Sequence, residues 1–86
     1  MTNYDVEITH TAEKQLSKLP KQDQRRIVRA VLALRKEPRP RGCRKLSGYD
    51  DVYRIRTGSY RVIYSISDRS LVVLILKIGQ RGDVYR

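Results

Sequence analysis

The chain has 86 residues, enough for one small domain (residues 1–86) built around one core. It is 40% hydrophobic and 33% charged, with no Trp or Phe, so the core must rest on Ile, Leu, Val and six Tyr. A formal net charge of +10 points to a polyanionic partner, either nucleic acid or an acidic protein. A membrane partner is disfavoured because the longest apolar run, residues 71–76, is far too short to span a bilayer, and the single cysteine, Cys43, rules out an internal disulfide.

Residues 4–9 alternate Tyr4, Val6, Ile8 with Asp5, Glu7, Thr9, the pattern of a half-buried strand. No basic n-region followed by an apolar stretch precedes it, so a cytoplasmic setting is expected. Thr9 or Thr11 can cap a short helix whose apolar stripe is Ala12, Leu16 and Leu19, with Glu13 favoured in its first turn. Pro20 ends that helix or opens the next. The second helix is expected from Lys21 to about Lys36, burying Ile27, Ala30, Val31 and Leu34 with support from Val28 and Leu32. Pro38, Pro40 and Gly42 stop it. Residues 43–48 read as a connector and 49–51 as a turn.

Residues 52–64 read as two strands joined at Gly58-Ser59, a signal for a two-residue hairpin turn. That turn pairs Thr57 with Tyr60, Arg56 with Arg61, Ile55 with Val62 and Arg54 with Ile63. Ile55, Thr57, Tyr60, Val62 and Tyr64 then share one face, and Arg54, Arg56 and Arg61 the other. Like charges directly across a ladder are destabilising, so nearby carboxylates (Asp50, Asp51 or Asp68) or an external polyanion must relieve them. Residues 71–76 are apolar on both faces and read as the central strand. Gly79 and Gly82 bracket Arg81 in an expected loop, and residues 83–85 suggest a last short strand. The resulting class is α+β, in the order β-α-α-β-β-β(-β), with two N-terminal helices on one face of a mainly antiparallel sheet.

Four stretches carry a family likeness. They are Tyr-Arg-Ile-Arg-x-Gly-x-Tyr-Arg-Val-Ile-Tyr (53–64), Ile-Gly-Gln-Arg-Gly-Asp-Val-Tyr (78–85) and Thr-Ala-Glu-Lys-Gln-Leu-Ser-Lys-Leu-Pro (11–20), with Lys-Leu-Ser-Gly at 45–48. In order and spacing the chain resembles the RelE branch of the RelE/ParE toxin superfamily. The resemblance implies a microbial-ribonuclease-like fold and the toxin of a type II toxin–antitoxin pair. It further implies metal-independent cleavage of mRNA in the ribosomal A site, with no cofactor. The implied partners are a cognate antitoxin with an acidic wrapping segment, the ribosome and mRNA, with DNA contacted only through the antitoxin complex. By position the family's catalytic residues match Arg54, Arg56, Arg61, Arg81 and Tyr85. Lys45 matches a basic position before the hairpin, and Arg44 and Lys77 join it as candidate RNA-binding residues. Arg54 and Arg56 stand where well-known members have lysines, and Gln80 where many relatives have histidine.

These residue types suit phosphate chemistry. Guanidinium forks bind phosphate oxygens bidentately and stabilise charge developing in a transition state. Arg81 suits leaving-group stabilisation, and Tyr85 suits stacking a splayed base. Arginine is a poor base, and the only histidine, His10, is remote from the motif. Proton removal is therefore expected from the ribosome, from water, or from a lysine such as Lys45 or Lys77. Two other readings follow from the same residues: a ParE-like toxin that poisons DNA gyrase without nuclease activity, and a degenerate toxin that only binds RNA or its antitoxin.

Overall fold

The structure, a computed structural model, describes residues 3–80. Arg81, Tyr85 and the strand expected at 83–85 lie outside the described residues.

Strand β1 (Asp5–Ile8) leads into helix α1 (His10–Ser17) and helix α2 (Lys21–Ala33). Strands β2 (Arg44–Lys45), β3 (Val52–Thr57), β4 (Tyr60–Ser67) and β5 (Val72–Gln80) follow. They form one sheet in the order β1-β5-β4-β3-β2. β1 runs parallel to β5, and every other neighbouring pair is antiparallel. The α+β class with two N-terminal helices is therefore as expected. The centre of the sheet is β4, however, and not the apolar run at 71–76. That run belongs to β5, which lies between β1 and β4.

Thr9 caps α1: its Oγ1 accepts from the Ala12 N–H at 3.1 Å. Pro20 stands at the N-cap of α2, where a missing N–H costs nothing. Gln24 of α2 donates through Nε2 to the Leu19 carbonyl at 2.8 Å, tying the two helices at their junction. α2 stops at Ala33, short of the expected Lys36. Past it the N–H groups of Leu34, Arg35 and Lys36 reach back only three residues, to Val31, Leu32 and Ala33. This tight winding precedes Pro38, which disfavours helical geometry at Glu37. Ile27 and Leu34 are fully buried, whereas Val28 and Leu32, expected to support the core, are exposed. They lie one step round the helix from the stripe that meets the sheet.

The core joins Ala12, Ile27 and Leu34 of the helices to Ile55, Tyr60, Val62, Tyr64, Ile66, Val73, Ile75 and Ile78 of the sheet. With no Phe or Trp, tyrosines supply its bulk, and each brings a hydroxyl that needs a partner. Tyr64 is fully buried and donates to the Pro38 carbonyl at 2.8 Å. Burial, followed by the neighbouring Cys43, pushes its phenol well above the ordinary tyrosine range. Tyr60 donates to Asp23 of α2 at 2.8 Å, which raises its pKa. Tyr53 stacks on Tyr64 with centroids 6.1 Å apart. Arg39 lies over the Tyr53 ring at 5.1 Å and donates to its hydroxyl through Nε. The same guanidinium grips Asp68 in a fork, at 3.2 and 2.9 Å, and Tyr4 donates to Asp68 at 2.7 Å. One ion-pair cluster thus ties the loop after α2 to the β4–β5 turn and to the chain entering β1.

Two expectations follow. Gly58 has φ +63, and a Cβ there would lie 2.7 Å from Nη1 of Arg26 on α2. Gly58→Ala is expected to cost ~1–2 kcal/mol in urea unfolding, mainly from left-handed backbone strain because the Arg26 tip can move. The Asp68 pKa is lowered by hydrogen bonds from Arg39 and then Tyr4. A depressed folded pKa stabilises the native state above the unfolded carboxylate value, and this is lost as pH falls through the folded value. The Tm advantage of the wild type over Asp68→Asn is therefore expected to be largest near neutral pH and to shrink below about pH 4, as acid titration of both proteins would show. Salt is expected to narrow it, since both side chains of the pair are partly exposed.

Candidate nucleic-acid interface

Cross-strand partners share a face of a sheet, so the registers define the surface opposite the core. Thr57 pairs with Tyr60, Arg56 with Arg61, Ile55 with Val62 and Arg54 with Ile63, the register read from the Gly58-Ser59 turn. Arg54, Arg56 and Arg61 therefore lie together on the open face, and Ile55, Tyr60, Val62 and Tyr64 lie in the core.

The third dimension extends this cluster from both sides. β2 sets Arg44 directly opposite Arg54. β5 sets Lys77 opposite Ile63 and Gly79 opposite Arg61. One row across four strands is thus Arg44, Arg54, Ile63, Lys77, and the next is Arg56, Arg61, Gly79. Strands ~4.8 Å apart and a rise of ~3.3 Å per residue make this a compact platform of five cations. Gly79, opposite Arg61, adds no side chain to its row. A cavity of ≈ 440 Å³ at the hairpin turn is lined by Arg56, Gly58, Ser59, Tyr60 and Arg61.

Two pairs of guanidinium-bearing residues are directly opposed on this face, Arg44 with Arg54 and Arg56 with Arg61. Arg54 is only 8% exposed, while Arg44 and Arg56 are exposed. Asp68, one of the carboxylates expected to relieve these arginines, is held by Arg39 instead.

Of the residues singled out in the sequence, the structure gathers Arg44, Arg54, Arg56, Arg61 and Lys77 on one face. It does not place Lys45 there. Lys45 pairs with Tyr53 and so belongs to the opposite face, because neighbouring residues of a strand point to opposite sides. Gln80, expected in a loop, ends β5 opposite Tyr60. Arg44 gains its position only through β2, a two-residue strand with no pattern of its own. Lys77 gains its position through an irregularity in β5. The buried positions Val73, Ile75 and Ile78 are spaced two and then three apart, a break hidden in the sequence because residues 71–76 are all apolar.

A cluster of cations, exposed at Arg44, Arg56 and Lys77, on one face of a small five-stranded sheet backed by two helices is an arrangement suited to a polyanion. The profile of the family described as "ParE toxin of type II toxin-antitoxin system, parDE" matches residues 6–85. The chain is 37% identical to Toxin RelG of Mycobacterium tuberculosis, covering 96% of this chain and 97% of that one. It is 28% identical to the mRNA interferase toxin RelE of Escherichia coli, covering 95% and 90%. The toxin in the crystal structure of the archaeal RelE–RelB complex from Pyrococcus horikoshii superimposes with a TM-score of 0.84 at 40% identity, covering 95% and 99%. The chain belongs to the RelE/ParE superfamily, as a RelE-type toxin of a type II toxin–antitoxin system.

Like charges directly opposed across a ladder disfavour the pairing. Arg44→Thr removes one such opposition and is expected to raise stability by ~0.2–1 kcal/mol in urea unfolding. The same variant is expected to bind single-stranded RNA more weakly than the wild type in a titration at fixed salt.

Proposed function

We propose that the chain is an endoribonuclease that cuts mRNA positioned in the ribosomal A site. The observation that carries this reading is the pair of opposed arginine couples, Arg44 with Arg54 and Arg56 with Arg61, on one open face. Guanidinium forks gathered at neighbouring positions suit bidentate binding of phosphate oxygens. The name of the similar E. coli protein, an mRNA interferase toxin, supports the same chemistry.

Cleavage by transesterification needs a 2′-oxygen in line with phosphorus, stabilisation of added charge on the phosphate, and protonation of the leaving 5′-oxygen. Arg54, Arg56 and Arg61 serve the second need, each charge-assisted bond contributing roughly 1.5–3 kcal/mol. Arg81 is assigned to the leaving oxygen and Tyr85 to stacking a base, worth ~1–3 kcal/mol. The in-line geometry is assigned to the ribosome, which holds the codon and so supplies the positional part of catalysis. His10 opens α1, away from the cation rows, and does not serve as the base in this reading. A cognate antitoxin with an acidic segment would silence the toxin, and DNA would be met only through that complex.

Expression without the antitoxin, followed by mapping of mRNA 5′ ends, tests the reading. Cuts inside translated codons are expected, with little cutting of naked RNA by the purified protein. Arg61→Ala and Arg81→Ala are each expected to lower cutting at least ~10-fold while leaving the circular dichroism spectrum unchanged. DNA damage with intact mRNA would transfer the activity to gyrase, and full cutting by both variants would move the site elsewhere.

A further inference from the structure

β1 ends at Ile8, opposite Ile75. Beyond that point, among the described residues, β5 has no strand on its outer side, and its backbone groups there are met by another element. The first strand–helix corner does this. The Thr9 N–H donates to the Ile75 carbonyl at 3.0 Å, and the Thr9 hydroxyl donates to the next carbonyl, Leu76, at 3.1 Å. Consecutive carbonyls facing the same side mark a β-bulge. The β4–β5 register agrees: Tyr64 pairs with Ile75 and Ile63 with Lys77, leaving Leu76 as the extra residue. One turn further along α1, Oε1 of Gln15 accepts from the Ile78 N–H at 2.7 Å.

The bulge has a consequence for the cation face. With unbroken alternation from Val73 and Ile75, position 77 would point into the core and Ile78 outward. The inserted residue reverses this. Ile78 is 2% exposed within the core, and Lys77 is exposed beside the arginine rows. Gly79 is moved by the same step to its place opposite Arg61.

We propose that Lys77 is a phosphate ligand of this face, contacting the RNA backbone next to the phosphate held by Arg56 and Arg61. Gln15 is the positioning residue that presents it, by fixing the bulge through the Ile78 N–H. The inference rests on the RNA-binding reading of the open face and adds to it a fifth cation and a remote control point on α1.

The test uses the full chain and a single-stranded oligoribonucleotide carrying 2′-O-methyl groups throughout, which cannot be cut. Its affinity is measured across a salt series. Each phosphate contact contributes about 0.7 to the slope of log affinity against log salt on single strands. Lys77→Met is expected to flatten the slope by about 0.7, Lys77→Arg to retain it, and Lys14→Met on exposed α1 to leave it unchanged. Gln15→Met is expected to flatten the slope towards that of Lys77→Met, and the double variant to flatten it no further. Gln15→Glu keeps the acceptor oxygen and is expected to restore the slope. An unchanged slope in Lys77→Met overturns the proposal. A Gln15→Met protein with lower Tm but the wild-type slope overturns the positioning role. Wild-type protein that fails to bind the oligonucleotide overturns the RNA-binding reading itself, whereas wild-type binding with an indifferent Lys77 overturns only this inference.

Discussion

The register of the β3–β4 hairpin is the constraint on which the remaining structure depends. Gly58, at φ +63, allows a two-residue turn, and that turn decides that Thr57 faces Tyr60. From there the alternation is set for both strands. Ile55, Tyr60, Val62 and Tyr64 reach the helices, and Arg54, Arg56 and Arg61 reach the open face. A slip of one residue would bury guanidinium groups and expose the core side chains, at a cost of several kcal/mol per buried ion. Core and cation platform are therefore two faces of a single register, and neither can shift without the other.

Tyrosine makes that core possible in a chain without Phe or Trp. A tyrosine gives aromatic bulk but carries a hydroxyl, which is costly to bury unpaired. The fold answers each hydroxyl with a different segment. Tyr60 ties β4 to α2 through Asp23, and Tyr64 ties β4 to the loop after α2 through the Pro38 carbonyl. Tyr53 accepts from Arg39, whose fork on Asp68 is shared with Tyr4. The loop that follows α2, rich in proline and arginine, is thereby held against the sheet by polar ties at its edge. These ties compensate for a modest core in a domain of this size, where a few kcal/mol decide folding.

The open face has the opposite character. Two arginine couples stand directly opposed on it, and Asp68, one of the nearby acids considered for them, is engaged by Arg39. Like charges set directly across a ladder repel one another, and the same guanidinium forks suit an anion.

Local patterns were sufficient for much of this. Period-2 alternation around Gly58-Ser59 defines the hairpin register and the side on which Arg54, Arg56 and Arg61 lie. Thr9, Pro20 and Pro38 mark the helix ends to within three residues, and the motifs at 53–64 and 78–85 mark the toxin family. These features are legible because turn geometry and strand period act over a few neighbouring residues. What tertiary structure alone decided involves partners distant in the chain. β1 inserts parallel to β5, which makes β4 the central strand. Two-residue β2 puts Arg44, and not Lys45, with the arginines, because one step along a strand reverses the face. Gln15 and Thr9 stabilise a bulge more than 60 residues away, which turns Lys77 outward and Ile78 inward. A strand cannot specify which element will satisfy its outer edge. That choice belongs to the packed molecule, and here it completes the cation face.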